Sequence, residues 1–511
     1  MSSDSAWCEA PFSAQTAFGQ RVLQAVKDAL AAGEVHRIYL QRPDSNVPGE
    51  YLVKVAETKR FLERWVADDE FRTEAIADAG KAARSIGLSI DPDHIRSHWD
   101  ARCSPLNNPD YAFSQLELRY RAFILEKITH RNQLRAESAP SHPRMIAWRK
   151  RQLARAASQL PIVSSDSIVH APFCVELTHG CSVGCWFCGI GAPRLGDCFA
   201  LTPENTALWR GALQVLREVY GPGIRHGFCY WANEPFDHPD YEKFLLDYHE
   251  ILGAFPQTTT ALALKDLGRT RALLNLSRQK GGMLERFSLL TREQVRRIHE
   301  EFSPLELLFV ELITQNKESL TTKSNAGRAM ENSRAHAPNE GEPPGNAVSP
   351  GTSACVTGFL MSMVKRTVKL VSPCEACVKH PLGYITFDEE TFQSPGGLRR
   401  LLQQMIERNM PATVESNTLL RFRDDLSFEE APDGFRLSTR HMRKNFTGQP
   451  GLRQTGRLLR EGRRTAGELA NELAATHGIS PAETFHSLNL MLDSGVLEIG
   501  FDERPKAGLE S

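Results

Sequence analysis

The sequence predicts an α/β fold, a whole or partial (β/α) barrel with a helical N-terminal region before it and a small winged-helix-like module after it. Two observations point there. From residue 171 onward, short β-branched or aromatic runs alternate with segments of helical period, the mark of a parallel sheet with right-handed crossovers. The end of the chain reads as helices followed by a short strand, the order of a winged helix.

Residues 1–135 form the first region, helical and suited to docking, with amphipathic stretches at 16–32 and 56–87. Phe61, Leu62, Trp65, Val66, Ala75, Ile76 and Ile86 recur near the helical period. Gly87 supplies a stop, and Asp91 followed by Pro92 supplies a cap and a new start. Residues 136–170 form a connector around the basic run MIAWRKRQLARAA. Such a run reads as a solvated face, with an acidic peptide as the alternative partner.

The core is expected over 171–445. Its strands fall at 173–178, 225–232, 258–264, 284–290 and 305–312, with helices at 203–219, 239–253, 266–278 and 291–302. VKLV at 368–371 is a candidate sixth strand. Barrel chemistry sits beyond the C-terminal ends of the strands. Residues 315–354 almost lack large apolar side chains, which predicts a mobile loop, either a lid or a tolerated insertion. In the last region, 446–511, Ser480, Pro481 and Glu483 make a helix start, and Gly478 and Gly495 make stops. The helix AETFHSLNLMLDS has no Arg or Lys to meet phosphates, so protein contact or plain packing is expected there.

The 61 basic and 62 acidic residues nearly cancel, which argues against a nucleic-acid partner. No apolar run approaches the roughly 18 residues of a membrane helix, so no membrane partner is expected. The opening MSSDSAWCEAPFSAQ has neither a basic n-region nor an apolar h-region and does not read as a secretory signal. Eleven cysteines without a regular framework suit a reducing, cytoplasmic compartment with metal or catalytic thiols.

The stretch VELTHGCSVGCWFCGIG, residues 175–191, places Cys181, Cys185 and Cys188 in the loop after the first strand. A structural zinc site would want a fourth Cys or His, usually on a second knuckle. A [4Fe-4S] cluster normally takes four thiolates, so three cysteines leave one iron open. This C-x3-C-x2-C pattern, with the aromatic Phe187 before its last cysteine, resembles the radical SAM superfamily. The resemblance implies a partial (β/α) barrel in which S-adenosyl-L-methionine chelates the open iron. It also implies a one-electron reductant, cleavage of the sulfonium and a 5′-deoxyadenosyl radical. Asn233-Glu234-Pro235 stands where that family carries a Gly-Gly-Glu-Pro-like motif, with Ala232 and Asn233 in place of the glycines. Glu234 is then the partner of the SAM ammonium. Thr259, Arg286 and Ser288, polar residues on apolar strands, are the candidates for ribose and carboxylate contacts. Each also has a plain reading, since Thr is a good strand former and Arg286 can pair with a nearby acid.

Beyond residue 229 only Cys355, Cys374 and Cys377 follow, too few for auxiliary clusters, so an isolated thiol becomes the object of interest. The segment VKLVSPCEACVKHPLGYITFDEETF, with QTTTALALKD, NEPFDHPDY, QNKESL and NAGRA, resembles the peptide epimerases that mature ribosomally synthesised natural products. The likeness covers roughly residues 140–440. It implies a leader-bearing ribosomal precursor peptide as partner. It also implies L-to-D conversion by Cα hydrogen abstraction, with hydrogen returned from a thiol on the opposite face. By that resemblance the donor is Cys374, with Cys377 its rival and a small buried hydrophobe the structural alternative. FLERWVADDEF resembles the leaders of nitrogen-fixation-type precursors. Other radical SAM peptide modification (methylation or crosslinking) and an iron–sulfur sensor are the alternatives. Cys8, Cys103, Cys174, Cys198, Cys229 and Cys355 read as structural.

Overall fold

The structure, a computed structural model, describes residues 17–40, 47–103, 108, 111–335 and 348–499. Cys8, the middle of the expected mobile loop (336–347) and the tail from 500 lie outside the described residues. Its first helices are α1 (Ala17–Ala31), α2 (Gly49–Ala67), α3 (Asp69–Ala77), α4 (Ala79–Ser85) and α5 (Gln115–Glu137). Short polar side chains start three of them. Asp68 accepts from the amide of Phe71, Asp78 from Lys81 and Ser114 from Glu117, each filling an open N–H at a helix start. Gly87 stands in the left-handed region, at φ 75, as a helix stop does. The helix expected after Asp91 is a 3-10 segment, Pro92–His98.

Phe61, Phe71, Trp99, Tyr120 and Phe123 share one apolar core. The leader-like FLERWVADDEF segment is thus built into the fold, with Phe61 and Phe71 buried. Asp68, fully buried, closes α2 and opens α3, and it is paired on two sides by Arg64 (3.0 Å) and Arg296 (2.9 Å). A buried carboxylate needs such partners, and here one comes from the core of the protein. Lys59 Nζ adds a bond to the Leu307 carbonyl (3.0 Å), and Asn316 one to that of Ala67 (2.7 Å).

The connector holds α6 (Pro143–Gln159) and α7 (Ile162–Ser167). The expectation of a solvated basic face is overturned: Trp148, Arg149 and Arg151 are buried. Arg149 donates to the Thr357 carbonyl (3.3 Å) and Arg151 to that of Pro411 (2.7 Å). Backbone carbonyls that accept from the guanidinium groups explain why these cations are tolerated there.

After the connector the fold is mixed α/β. Strand β1 (Ala171–Glu176) leads to α8 (Pro203–Tyr220), α9 (Tyr241–Leu252), β2 (Thr259–Thr260), α10 (Leu267–Gln279), β3 (Glu285–Leu289), α11 (Arg292–Glu301) and β4 (Val310–Thr314). Strands β2, β3 and β4 form a parallel sheet. The expected strand at 225–232 reduces to one bridge, Cys174 with Phe228. Gly227 presses on Phe173 there, and a Cβ would overlap its ring. The sixth strand is also different from the expectation. Strand β7 (Val356–Ser362) lies parallel to β1, while VKLV belongs to β8 (Thr367–Pro373), which is antiparallel to β7. Strand β9 (Tyr384–Thr391) completes a four-stranded sheet in the order β1-β7-β8-β9. Helix α13 (Pro395–Asn409) packs with α8 over a core of Trp148, Trp209, Phe244, Phe359, Leu402 and Met405.

Part of 315–354 is ordered, contrary to the expected loop. It contains β5 (Lys323–Ser324), α12 (Arg328–Ala335) and β6 (Val348–Ser349), with β5 parallel to β6. The C-terminal module begins earlier than 446, because its apolar cluster already includes Val414, Leu420 and Phe435. Strand β10 (Leu420–Phe422) pairs with β14 (Leu497–Ile499). Between them lie a three-stranded antiparallel sheet, β11 (Ser427–Ala431), β12 (Gly434–Ser438) and β13 (Arg443–Phe446), and then α14 (Leu452–Glu461), α15 (Ala466–His477) and α16 (Pro481–Asp493). Ser480 caps α16 with a capping box through Glu483, as the sequence predicts. Among the described residues no helix is long and apolar enough to cross a membrane.

Candidate functional site

The chain after β1 doubles back as a hairpin over residues 177–199. Phe199 N donates to Leu177 O (2.9 Å), His179 N to Asp197 O (2.8 Å) and Cys181 N to Pro193 O (3.0 Å). Gly180, at φ 84, permits the close pass, since a Cβ there would overlap the Arg194 carbonyl oxygen. Cys181, Cys185 and Cys188 sit along this hairpin, each partly buried. The amide of Val183 points at Cys181 Sγ (3.4 Å) and that of Ala192 at Cys188 Sγ (3.4 Å). Burial, reinforced by the Cys188 and Cys181 thiols nearby, pushes Cys185 up to about 12.

Helix α12 clamps the tip. Arg328 donates through its backbone to Cys188 O (3.0 Å), through Nη1 to Cys185 O (2.8 Å) and through Nη2 to Ala192 O. Asn332 Nδ2 donates to Trp186 O (2.8 Å). On the other side, Ser182 binds Asp237 through its amide (2.8 Å) and its hydroxyl (2.6 Å). The sequence reading missed Arg328, Asn332 and Asp237. The helix-forming run RAMENSRA was the available signal, hidden in a polar stretch.

Phe187 packs edge-on against Trp186, with ring centroids 5.4 Å apart. Asn233 accepts from the amide of Trp231 (2.8 Å) and donates to Thr178 Oγ1 (3.0 Å), which fixes the turn at the base of the hairpin. Glu234 is buried, and its oxygens accept from Thr260 Oγ1 (2.5 Å), Ala261 N (2.8 Å) and Phe236 N (3.1 Å). Burial outweighs these three donors and raises its carboxyl to about 7. Glu176, at the end of β1, receives the amide of Ala232 (2.9 Å), an acid the sequence reading did not single out.

The strand candidates divide. Thr259 donates to Tyr230 Oη (2.8 Å) and is the register partner of Arg286. Arg286 Nε binds Glu311 Oε2 (2.8 Å), so the plain alternative, pairing with an acid, is realised. Ser288 lies two residues further along the same strand, in register with Ile313.

Cys374 follows the last residue of β8 and is 1% exposed, whereas Cys377 is exposed in a tight turn closed by His380. Burial pushes the Cys374 thiol up to about 12. Its amide donates to Gly383 O (3.0 Å), and the residues before Gly383 reach the cysteine hairpin. Gly327 N donates to Pro381 O (2.7 Å), and a Cβ on Gly191 would stand 3.0 Å from Leu382. Trp231, beside Asn233, meets Tyr384 at 5.8 Å.

Among the described residues no three His, Cys, Asp or Glu side chains gather as ligands of a single metal ion. Three cysteines on one hairpin, two of them met by backbone amides, are the donor type an iron–sulfur cluster takes, one thiolate at each corner. Uncharacterized protein y4wI of Sinorhizobium fredii (strain NBRC 101917 / NGR234) is 36% identical over 457 residues, spanning 88% of each chain. The chain belongs to the family of that protein. No family model matches the sequence, and no solved structure matches it.

Proposed function

We propose that this protein is a radical SAM peptide epimerase that converts L- to D-residues in a leader-bearing ribosomal precursor peptide. Strands β1 and β7 with β2, β3 and β4 are then two arcs of a partial barrel. The observation that carries the reading is a buried thiol, Cys374, at the start of a turn whose Leu382 lies against Gly191 of the three-cysteine hairpin. Cys181, Cys185 and Cys188 would hold a [4Fe-4S] cluster, with the amides of Val183 and Ala192 directed at two sulfurs. Once bound, the cluster and S-adenosyl-L-methionine would supply the radical that takes a substrate Cα hydrogen.

The chain's own contribution is orientation. A thiolate has no hydrogen atom to give, so the burial that holds Cys374 as S–H near neutral pH suits a donor. Its S–H bond breaks as a C–H bond forms on the opposite face of the peptide, leaving a sulfur-centred radical to be reduced externally. Placement of that thiol decides the product's configuration. Exposed Cys377 has no comparable shielding from solvent. Asn233 and Ser182 fix the turn and the hairpin relative to each other.

The test is anaerobic incubation of reconstituted protein with a candidate precursor peptide and a one-electron reductant in D2O. Inverted residues should each gain about one mass unit, since the thiol exchanges with solvent. Cys374→Ala should keep 5′-deoxyadenosine formation and lose D-residues. Undiminished D-residue formation by that variant would remove Cys374 from the mechanism, and loss of hydrogens from the peptide would favour crosslinking instead.

A further inference from the structure

A cavity of about 880 Å3 lies away from the cysteine hairpin, between α2 and α5 of the helical region and strands β3 and β4. That volume suits a small organic ligand. Its walls combine apolar side chains, among them Ile128, Phe228, Met283 and Leu312, with charged ones that include the mutually paired Lys59 and Glu63 and, beside them, a cluster of Lys127, Arg286 and Glu311. Glu311 Oε1 binds Lys127 Nζ (2.6 Å) and Glu311 Oε2 binds Arg286 Nε (2.8 Å). Two cations thus share one carboxylate. Arg286 and Glu311 keep 34% and 29% of their side-chain surface exposed, and both line the cavity. Among the described residues, no hydrogen-bond partner meets the two terminal nitrogens of Arg286.

We propose that this cavity binds a small carboxylate with an apolar body, its carboxyl seated on Arg286. A guanidinium presents its terminal N–H groups as a planar fork that matches a carboxylate's two oxygens. The surplus positive charge beside Glu311 would be neutralised by one further anion. A neutral apolar molecule would leave that fork dry and unpaired, which is costly. The site makes no use of the cysteine hairpin, so it stands apart from the epimerase reading. Such a ligand would touch both the helical region, through Lys127, and the sheet, through Arg286, and would tie the two together.

The probe is octanoate, compared with its uncharged twin octanamide, in calorimetric titrations of the full chain. Octanoate is expected to bind at least about tenfold more tightly, the size of one charge-assisted hydrogen bond. Arg286→Met should abolish that preference, whereas Glu311→Gln should strengthen octanoate binding by freeing a second donor edge. Cys355 also lines the cavity. Octanoate should therefore slow its alkylation by N-ethylmaleimide, read by peptide mass mapping of the wild-type chain. Equal affinity for the two probes, or unprotected Cys355 under saturating octanoate, would overturn the proposal even if the variants failed to fold. A short apolar peptide with a free C-terminal carboxylate, tested against its amide, distinguishes a peptide end from a free organic acid.

Discussion

Replacing Arg328 by Met removes the two side-chain bonds to the Cys185 and Ala192 carbonyls and keeps the backbone bond to Cys188. A hydrogen bond from a charged donor contributes about 1.5 to 3 kcal/mol when buried. Arg328 is only partly buried, so about 2 kcal/mol for the pair is the appropriate scale. That corresponds to roughly thirtyfold in the equilibrium between a closed and an open hairpin tip. Native-state hydrogen exchange on iron-free protein reads this directly. The amides of Gly191 and Ala192, which bond to Cys188 O and Cys188 Sγ, should exchange roughly thirtyfold faster in the variant. Amides of β8 should be unchanged. Equal exchange at Gly191 and Ala192 in both proteins would show that α12 does not hold the hairpin.

Gly180→Ala should cost at least about 2 kcal/mol in urea titrations, because a Cβ at φ 84 also meets the Arg194 carbonyl. Gly184→Ala, at φ 66 with open space around it, should cost only about 1 kcal/mol; equal losses would discount the close approach. Glu234 has a folded-state pKa raised from 4.5 to about 7. Its contribution is therefore present below about 4.5 and lost as pH rises through about 7. Relative to Glu234→Gln, the iron-free wild type should lose about 3 kcal/mol of stability between pH 4.5 and pH 8; a pH-independent difference would mean that the carboxyl is not desolvated.

Much of the architecture can be read from local pattern. The runs at β1, β3 and β4 are apolar enough to be recognised singly, and Asp68, Gly87 and Ser480 punctuate helices through backbone geometry that their residue types dictate. Pairing is another matter. VTGFLMS and VKLV are both apolar runs, and only the three-dimensional register makes one parallel to β1 and the other its antiparallel neighbour once removed. The basic run of α6 misleads because Arg149 and Arg151 are satisfied by carbonyls over two hundred residues away. In the same way, the three cysteines announce themselves by spacing, while the groups that hold their hairpin come from Asp237 and Arg328. Composition alone suggests that the region of Arg328 lacks structure.

Arg328 reaches Cys185 across 143 positions of chain. During synthesis the hairpin emerges long before its clamp, and the bonds from α12 cannot form until that helix has also been made. Closing so long a span costs chain entropy that local contacts of the hairpin do not repay. The three cysteines therefore reach their final arrangement late. A nascent chain stopped short of α12 would present the same thiols on a loose ribbon, open to oxidation and to adventitious metals.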